Sequence, residues 1–100
     1  MPNTVTLWEL DLSKLPADPN ERTALMGKMV EMTKQVLKEH PGSVWGAFVG
    51  EDKGYSAGPF TAQDIVKINL MFSPYVSFKV YQAISIDEFD AIFKAMQQRK

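Results

Sequence analysis

Cysteine is absent from the 100 residues of this chain, which excludes disulfides, thiolate metal ligands and cysteine nucleophiles. Histidine occurs once, at His40, so no multi-histidine metal centre can form within one chain. No apolar run approaches the ~20 residues that a membrane-spanning helix requires. The start, Met1-Pro2-Asn3-Thr4, has neither the basic nor the apolar region of a signal peptide. These absences predict a cytoplasmic protein with no membrane partner. Charge of one sign is also lacking: 11 Lys and Arg stand against 12 Asp and Glu, for a net charge of −1. The basic residues are scattered among acids, and nucleic-acid binding depends on clustered cations, so no nucleic-acid partner is expected. Zinc spacing, a Gly-x-Ser-x-Gly element and a Ser-His-Asp set are all missing. No metal and no cofactor are expected.

What the chain does have is a hydrophobic content of 45%, ordinary for a globular protein. Its length predicts a single domain over residues 1–100. A domain of this size buries only roughly 60–65% of the surface of its unfolded chain, so a large apolar face left open favours a partner subunit.

The hydrophobic periods alternate along the chain. Residues 5–12 read as a strand, with Val5, Leu7, Glu9 and Asp11 on one face and Thr6, Trp8, Leu10 and Leu12 on the other. Asp18-Pro19-Asn20-Glu21 then opens a helix, with Asp at the N-cap, Pro at N1 and Glu at N3. Leu25, Met29, Met32 and Val36 recur behind it at helical spacing, and His40-Pro41-Gly42 ends it. Residues 44–50 and 54–60 read as two strands joined by a tight turn, in which Gly54 suits a left-handed position. Thr61-Ala62-Gln63-Asp64 is a capping box for a second helix bearing Ile65, Ile68, Leu70 and Phe72, stopped by Ser73-Pro74. Residues 75–85 alternate as a fourth strand, with Ser77, Lys79 and Tyr81 on one side. Ser85-Ile86-Asp87-Glu88 is a third capping box, leading a helix with Phe89, Ile92, Phe93 and Met96. Lys94, Arg99 and Lys100 complement the dipole of that last helix.

This order predicts an α+β fold of ferredoxin-like βαββαβ topology with an extra C-terminal helix. Right-handed crossovers place the first two helices on one face of a four-stranded antiparallel sheet. The other face is left bare. On one choice of register it carries Leu7, Glu9, Trp45, Val49, Lys79 and Tyr81, and a second copy related by a two-fold axis would cover it.

Val5-Thr6-Leu7-Trp8-Glu9-Leu10, Val44-Trp45-Gly46-Ala47-Phe48-Val49-Gly50 and Phe72-Ser73-Pro74-Tyr75-Val76-Ser77-Phe78 resemble the dimeric α+β barrel superfamily, most of all its small uncharacterised microbial members. The resemblance runs over nearly the whole chain, in pattern more than in motif. It implies a homodimer whose sheets pack face to face around a possible cavity. It imports no mechanism, because one fold hosts many functions.

Glu9, Trp45, Lys79 and Tyr81 are the candidate pocket residues. The first and last strands are expected to be antiparallel neighbours, so Glu9 and Lys79 could meet across the bare face. There a carboxylate could act as general base and a cation could hold an anionic intermediate. The same pair could equally be a cross-strand ion pair worth about 0.2–1 kcal/mol. Trp8, Trp45, Tyr55, Tyr75 and Tyr81 could line a ligand pocket or form core and interface. Met26, Met29 and Met32 fit core filling better than a copper site. His40 is expected to interact with the last carbonyls of its helix. Gly46-Ala47-Phe48-Val49 has part of an RNA-recognition sequence, but Val44 and Glu51 stand where a cation and an aromatic residue are needed. The functional expectation is a homodimer that binds a small molecule or a protein partner without catalysis. The alternative is a cofactor-independent monooxygenase- or isomerase-like enzyme using the dimer cavity, with Glu9 as base, Lys79 as clamp and Tyr81 as proton donor.

Overall fold

Three oxygen-bearing side chains start the three helices. Each satisfies an N–H group that the first turn leaves without a partner, an arrangement worth about 1 kcal/mol per helix. The computed structural model describes residues 3–98; Met1, Pro2, Arg99 and Lys100 lie outside the described residues. The elements are β1 (Asn3–Leu10), a short 3-10 turn (Leu12–Lys14), α1 (Pro19–Glu39), β2 (Val44–Ala47), β3 (Lys53–Gly58), α2 (Ala62–Phe72), β4 (Val76–Ala83) and α3 (Ile86–Gln97). At α1 the carboxylate of Asp18 accepts from the Glu21 N–H at 3.0 Å, and Pro19 occupies the first turn. Thr61 with Asp64, and Ser85 with Glu88, complete both reciprocal bonds of the expected capping boxes.

The fold is α+β, with a four-stranded antiparallel sheet ordered β2-β3-β1-β4 and three helices. β1 is central. It pairs with β3 through Thr4↔Gly58 to Glu9↔Lys53, and with β4 through Asn3↔Ala83 to Leu10↔Val76. Helices α1 and α2 lie on one sheet face and cover part of it, leaving Trp45 and Val80 on that side 43% and 42% exposed. Leu15, Met29 and Phe72 are buried there against Leu10, Leu25, Met32, Ile68, Val76 and Phe78. Phe72 meets Phe78 edge-on at 6.2 Å, a preferred aromatic geometry.

The β2–β3 hairpin departs from the sequence reading. β2 stops at Ala47, so Val49 lies in the turn, fully exposed, rather than on the sheet. The left-handed residue of the turn is Gly50, at φ +84°, not Gly54. Gly54 is a buried strand residue under the Trp8 indole.

The chain is elongated, 64 × 25 × 22 Å, with a radius of gyration of 17.1 Å, where about 13 Å is usual for 100 residues. Helix α3 contributes to this shape: none of its residues is buried.

Candidate functional site

The sheet face turned away from α1 and α2 is the first candidate surface. Strand alternation and register place Val5, Leu7 and Glu9 of β1, Lys53, Tyr55 and Ala57 of β3, Ser77, Lys79 and Tyr81 of β4, and Val44 of β2 together on it. Tyr55 lies across Gly46, where a Cβ would fall 2.4 Å from its ring, and Phe48 packs beside it at 6.0 Å. Leu7, Val44, Tyr55 and Tyr81 are between 39% and 53% exposed. Among the described residues, no helix buries them.

Three of the four predicted pocket residues, Glu9, Lys79 and Tyr81, share this face. Trp45 does not. It pairs with Ser56, and Ser56 pairs with Thr6, so Trp45 shares the helix-covered side with Trp8. Their rings stack at 5.2 Å and 7°. Strand side chains alternate with a period of two, so entering the ladder at Val44↔Ala57 sends Val44 outward and Trp45 inward. Glu9 stands opposite Ser77 and Lys53, and Lys79 stands opposite Leu7. Glu9 and Lys79 are thus diagonal neighbours, within reach of a shared ligand but not a directly opposed pair. Lys53 lies 3.5 Å from Glu51.

The second candidate surface was not found from the sequence. An apolar cavity of about 520 Å³ opens between the sheet and the helices, with Trp8, Trp45, Met26, Val30, Phe72 and Phe78 in its wall. Of the β3 residues on this side only Ser56 reaches the cavity wall, while Gly54 lies against Trp8 and the β2 backbone and Gly58 against Ser43 and Phe60. The Trp8 indole N–H donates to the Gly46 carbonyl at 3.3 Å. A polar cleft at the turn end of the sheet holds Glu9, Asp11, Glu51 and Asp52. Among the described residues, no group of three or more His, Cys, Asp or Glu could hold a metal ion.

His40 joins two helix ends. Its Nδ1 is 2.8 Å from the Val36 carbonyl, and its Nε2 faces Asp64 Oδ1 at 3.5 Å. The expected interaction with the end of α1 is present, and the ring also packs on Phe60 at 4.8 Å. The Asp64 carboxyl is held below its usual 3.8, chiefly by the Thr61 backbone N–H, against partial desolvation, with the Thr61 hydroxyl and His40 assisting. A carboxylate depressed in the folded state stabilises the fold above its unfolded value and loses that contribution as pH falls through the folded one. The parent is therefore expected to exceed Asp64→Asn in stability at neutral pH, with the gap closing below pH 3.8. Urea titrations from pH 7 to 2 check this. A gap that stays constant across that range would contradict it. Asp11, lowered by the Ser13 hydroxyl, remains in both proteins and gives each a residual acid response.

Among the described residues, no helix is long and apolar enough to cross a membrane. Over the described residues this is an α+β protein with a four-stranded antiparallel sheet, one face of which is left open by the helices. Comparison of the chain with models of protein families, with curated proteins and with solved structures finds no match.

Proposed function

We propose that the protein acts as a ferredoxin-like homodimer, a dimeric α+β barrel in which the bare sheet faces of two copies meet. The space between them binds a small, partly apolar molecule that carries an acidic group. The observation that carries this reading is the unroofed face with Leu7, Val44, Tyr55 and Tyr81 in the open. The strand order β2-β3-β1-β4 supports the topology. Surface area supports the association. A monomer of 11.3 kDa is expected to expose about 5,700 Å², whereas this chain exposes 7553 Å². The excess of about 1,800 Å² per chain is the scale that permanent homodimers bury.

The ligand class follows from what surrounds the aromatic centre of the face. Lys79 supplies a cation and Glu9 a carboxylate, with tyrosine and leucine between them, and Lys53 adds a second cation that already lies 3.5 Å from Glu51. Tyrosine faces and a flanking ammonium suit a flat anion. Binding stands ahead of catalysis because Glu9 faces Ser77 and Lys53 rather than Lys79.

Sedimentation equilibrium at about 10 µM is expected to give a mass near 23 kDa, twice the 11.3 kDa of one chain. A single species of 11.3 kDa would overturn the reading. An anionic naphthalene dye should bind the dimer, and Lys79→Gln should weaken it about fivefold, the loss of one charged contact. Unchanged dye affinity would remove the proposed ligand site from this face.

A further inference from the structure

Two other apolar surfaces lack cover, and they belong to opposite edges of the sheet. The first is α3. Phe89, Ile92, Phe93 and Met96 form one helical stripe and are 52–68% exposed. The second is the groove between α1 and β2, where Met26, Val30 and Trp45, each at least 40% exposed, form part of the wall of the helix-side cavity. Helix α3 follows β4, which is one edge strand, and the groove borders β2, which is the other. Three strand spacings, about 14 Å, separate those edges within one chain. When two such sheets close on each other about a two-fold axis that runs along the strands, the β4 edge of one copy comes to the β2 edge of the other.

We infer that α3 of each protomer docks in the α1–β2 groove of a second copy, laying Phe89, Phe93 and Met96 against Trp45, Val30 and Met26. This inference rests on the homodimer reading above. Length and charge both fit it. The 12 residues of α3 span about 18 Å, and the groove wall from Met26 to Leu37 spans about 17 Å. The groove carries a cation, Lys34, near the C-terminal end of α1, and Glu51 and Asp52 by the β2–β3 turn at its other end. Helix α3 has Asp87 and Glu88 in its first turn, and Lys94, which pairs with Asp90 at 2.9 Å, in its last turn. Opposite charges therefore meet at both ends when α3 lies antiparallel to the partner's α1, with Met96 near Met26. The docked helix would close the cavity over the stacked Trp8 and Trp45 rings.

The natural absence of cysteine makes the test direct. Full-length chains carrying Met26→Cys and chains carrying Met96→Cys are mixed, allowed to exchange subunits and oxidised. The expected product is a disulfide-linked pair containing one chain of each kind, at least about fivefold over self-linked pairs, since disulfides form only across short Cα separations. In the doubly substituted chain the link should join two chains. Phe93→Asp should raise the dimer dissociation constant about 100-fold or more, since the loss occurs twice per two-fold pair. A parent that sediments as a dimer but gives no mixed pair overturns the helix exchange and leaves the sheet pairing standing. A monomeric parent removes both. A double variant that closes on itself shows α3 folding onto its own groove, and predominant Met96→Cys self-pairs show the two α3 helices packing on each other; either result overturns the inference.

Discussion

Adding one methyl group at Gly54 is expected to destabilise the protein by about 3 kcal/mol or more, the upper range for overpacking a filled site. A Cβ at Gly54 would lie 2.1 Å from the Gly46 carbonyl oxygen, 2.6 Å from Trp8 Cζ2 and 2.8 Å from the Ala47 Cα. Two of those three atoms are backbone of β2, so the obstruction cannot be relieved by turning a side chain. The neighbouring strand must move, and it carries Trp45 away from Trp8 as it goes. The stacked pair and the bond from the Trp8 indole to Gly46 depend on the same spacing. Gly46 provides the internal control. The three atoms nearest a Cβ there all belong to the Tyr55 ring and hydroxyl, between 2.4 and 2.7 Å away. That ring borders solvent and can swing aside. Gly46→Ala should therefore cost about 1 kcal/mol, well under Gly54→Ala. In thermal melts Gly54→Ala is expected to lower Tm by more than about 10 °C. Equal costs for the two variants would mean that β2 and β3 are not held at this separation.

The contrast between these glycines also shows where sequence reasoning stops. Helix starts were legible because caps are local: Asp18, Thr61 and Ser85 each meet an N–H three residues away. The antiparallel pairing of the first and last strands was legible because two segments of helical period separate strands of period two, and few topologies accommodate that sequence of elements. Side choice in a short strand was not legible. β2 has four residues, and whether Trp45 or Val44 points outward is decided by where it enters the ladder with β3. That depends on the turn, where Gly50 rather than Gly54 takes the left-handed conformation. Both glycines satisfy the same sequence rule, and only pairing across the strands tells them apart. In the same way, Glu9, Lys79 and Tyr81 could be placed on one face from the parity of two eight-residue strands. The helix-side cavity is walled by side chains of α1, α2 and several strands, a property of many elements at once that no local pattern states. The exposure of α3 was hidden for a related reason. Its stripe reads as core-facing at every position, and nothing local states that all of its residues stay unburied within the chain.

Leu7→Asp is expected to raise the dimer dissociation constant about 1,000-fold or more, leaving a folded monomer. Leu7 sits on the central strand, opposite Tyr55 on one side and Lys79 on the other. Within a lone protomer it is 40% exposed, so a carboxylate there keeps much of its hydration and gains a cation across the strand pair. The fold itself should lose little. In the proposed sheet-to-sheet dimer the same position is central and dry. Burying a leucine there is worth about 2 kcal/mol, and two-fold symmetry counts the loss twice. A combined loss of about 4 kcal/mol corresponds to the stated factor before the cost of desolvating two carboxylates is added. Sedimentation velocity at tens of micromolar should therefore show the variant near 11.3 kDa, with an unchanged far-ultraviolet dichroism spectrum. Tyr81→Asp, on the adjacent strand and more exposed, should act in the same direction with a smaller effect. A Leu7→Asp protein that stays dimeric would place the subunit interface elsewhere, and would take the ligand-binding cavity away from the bare face.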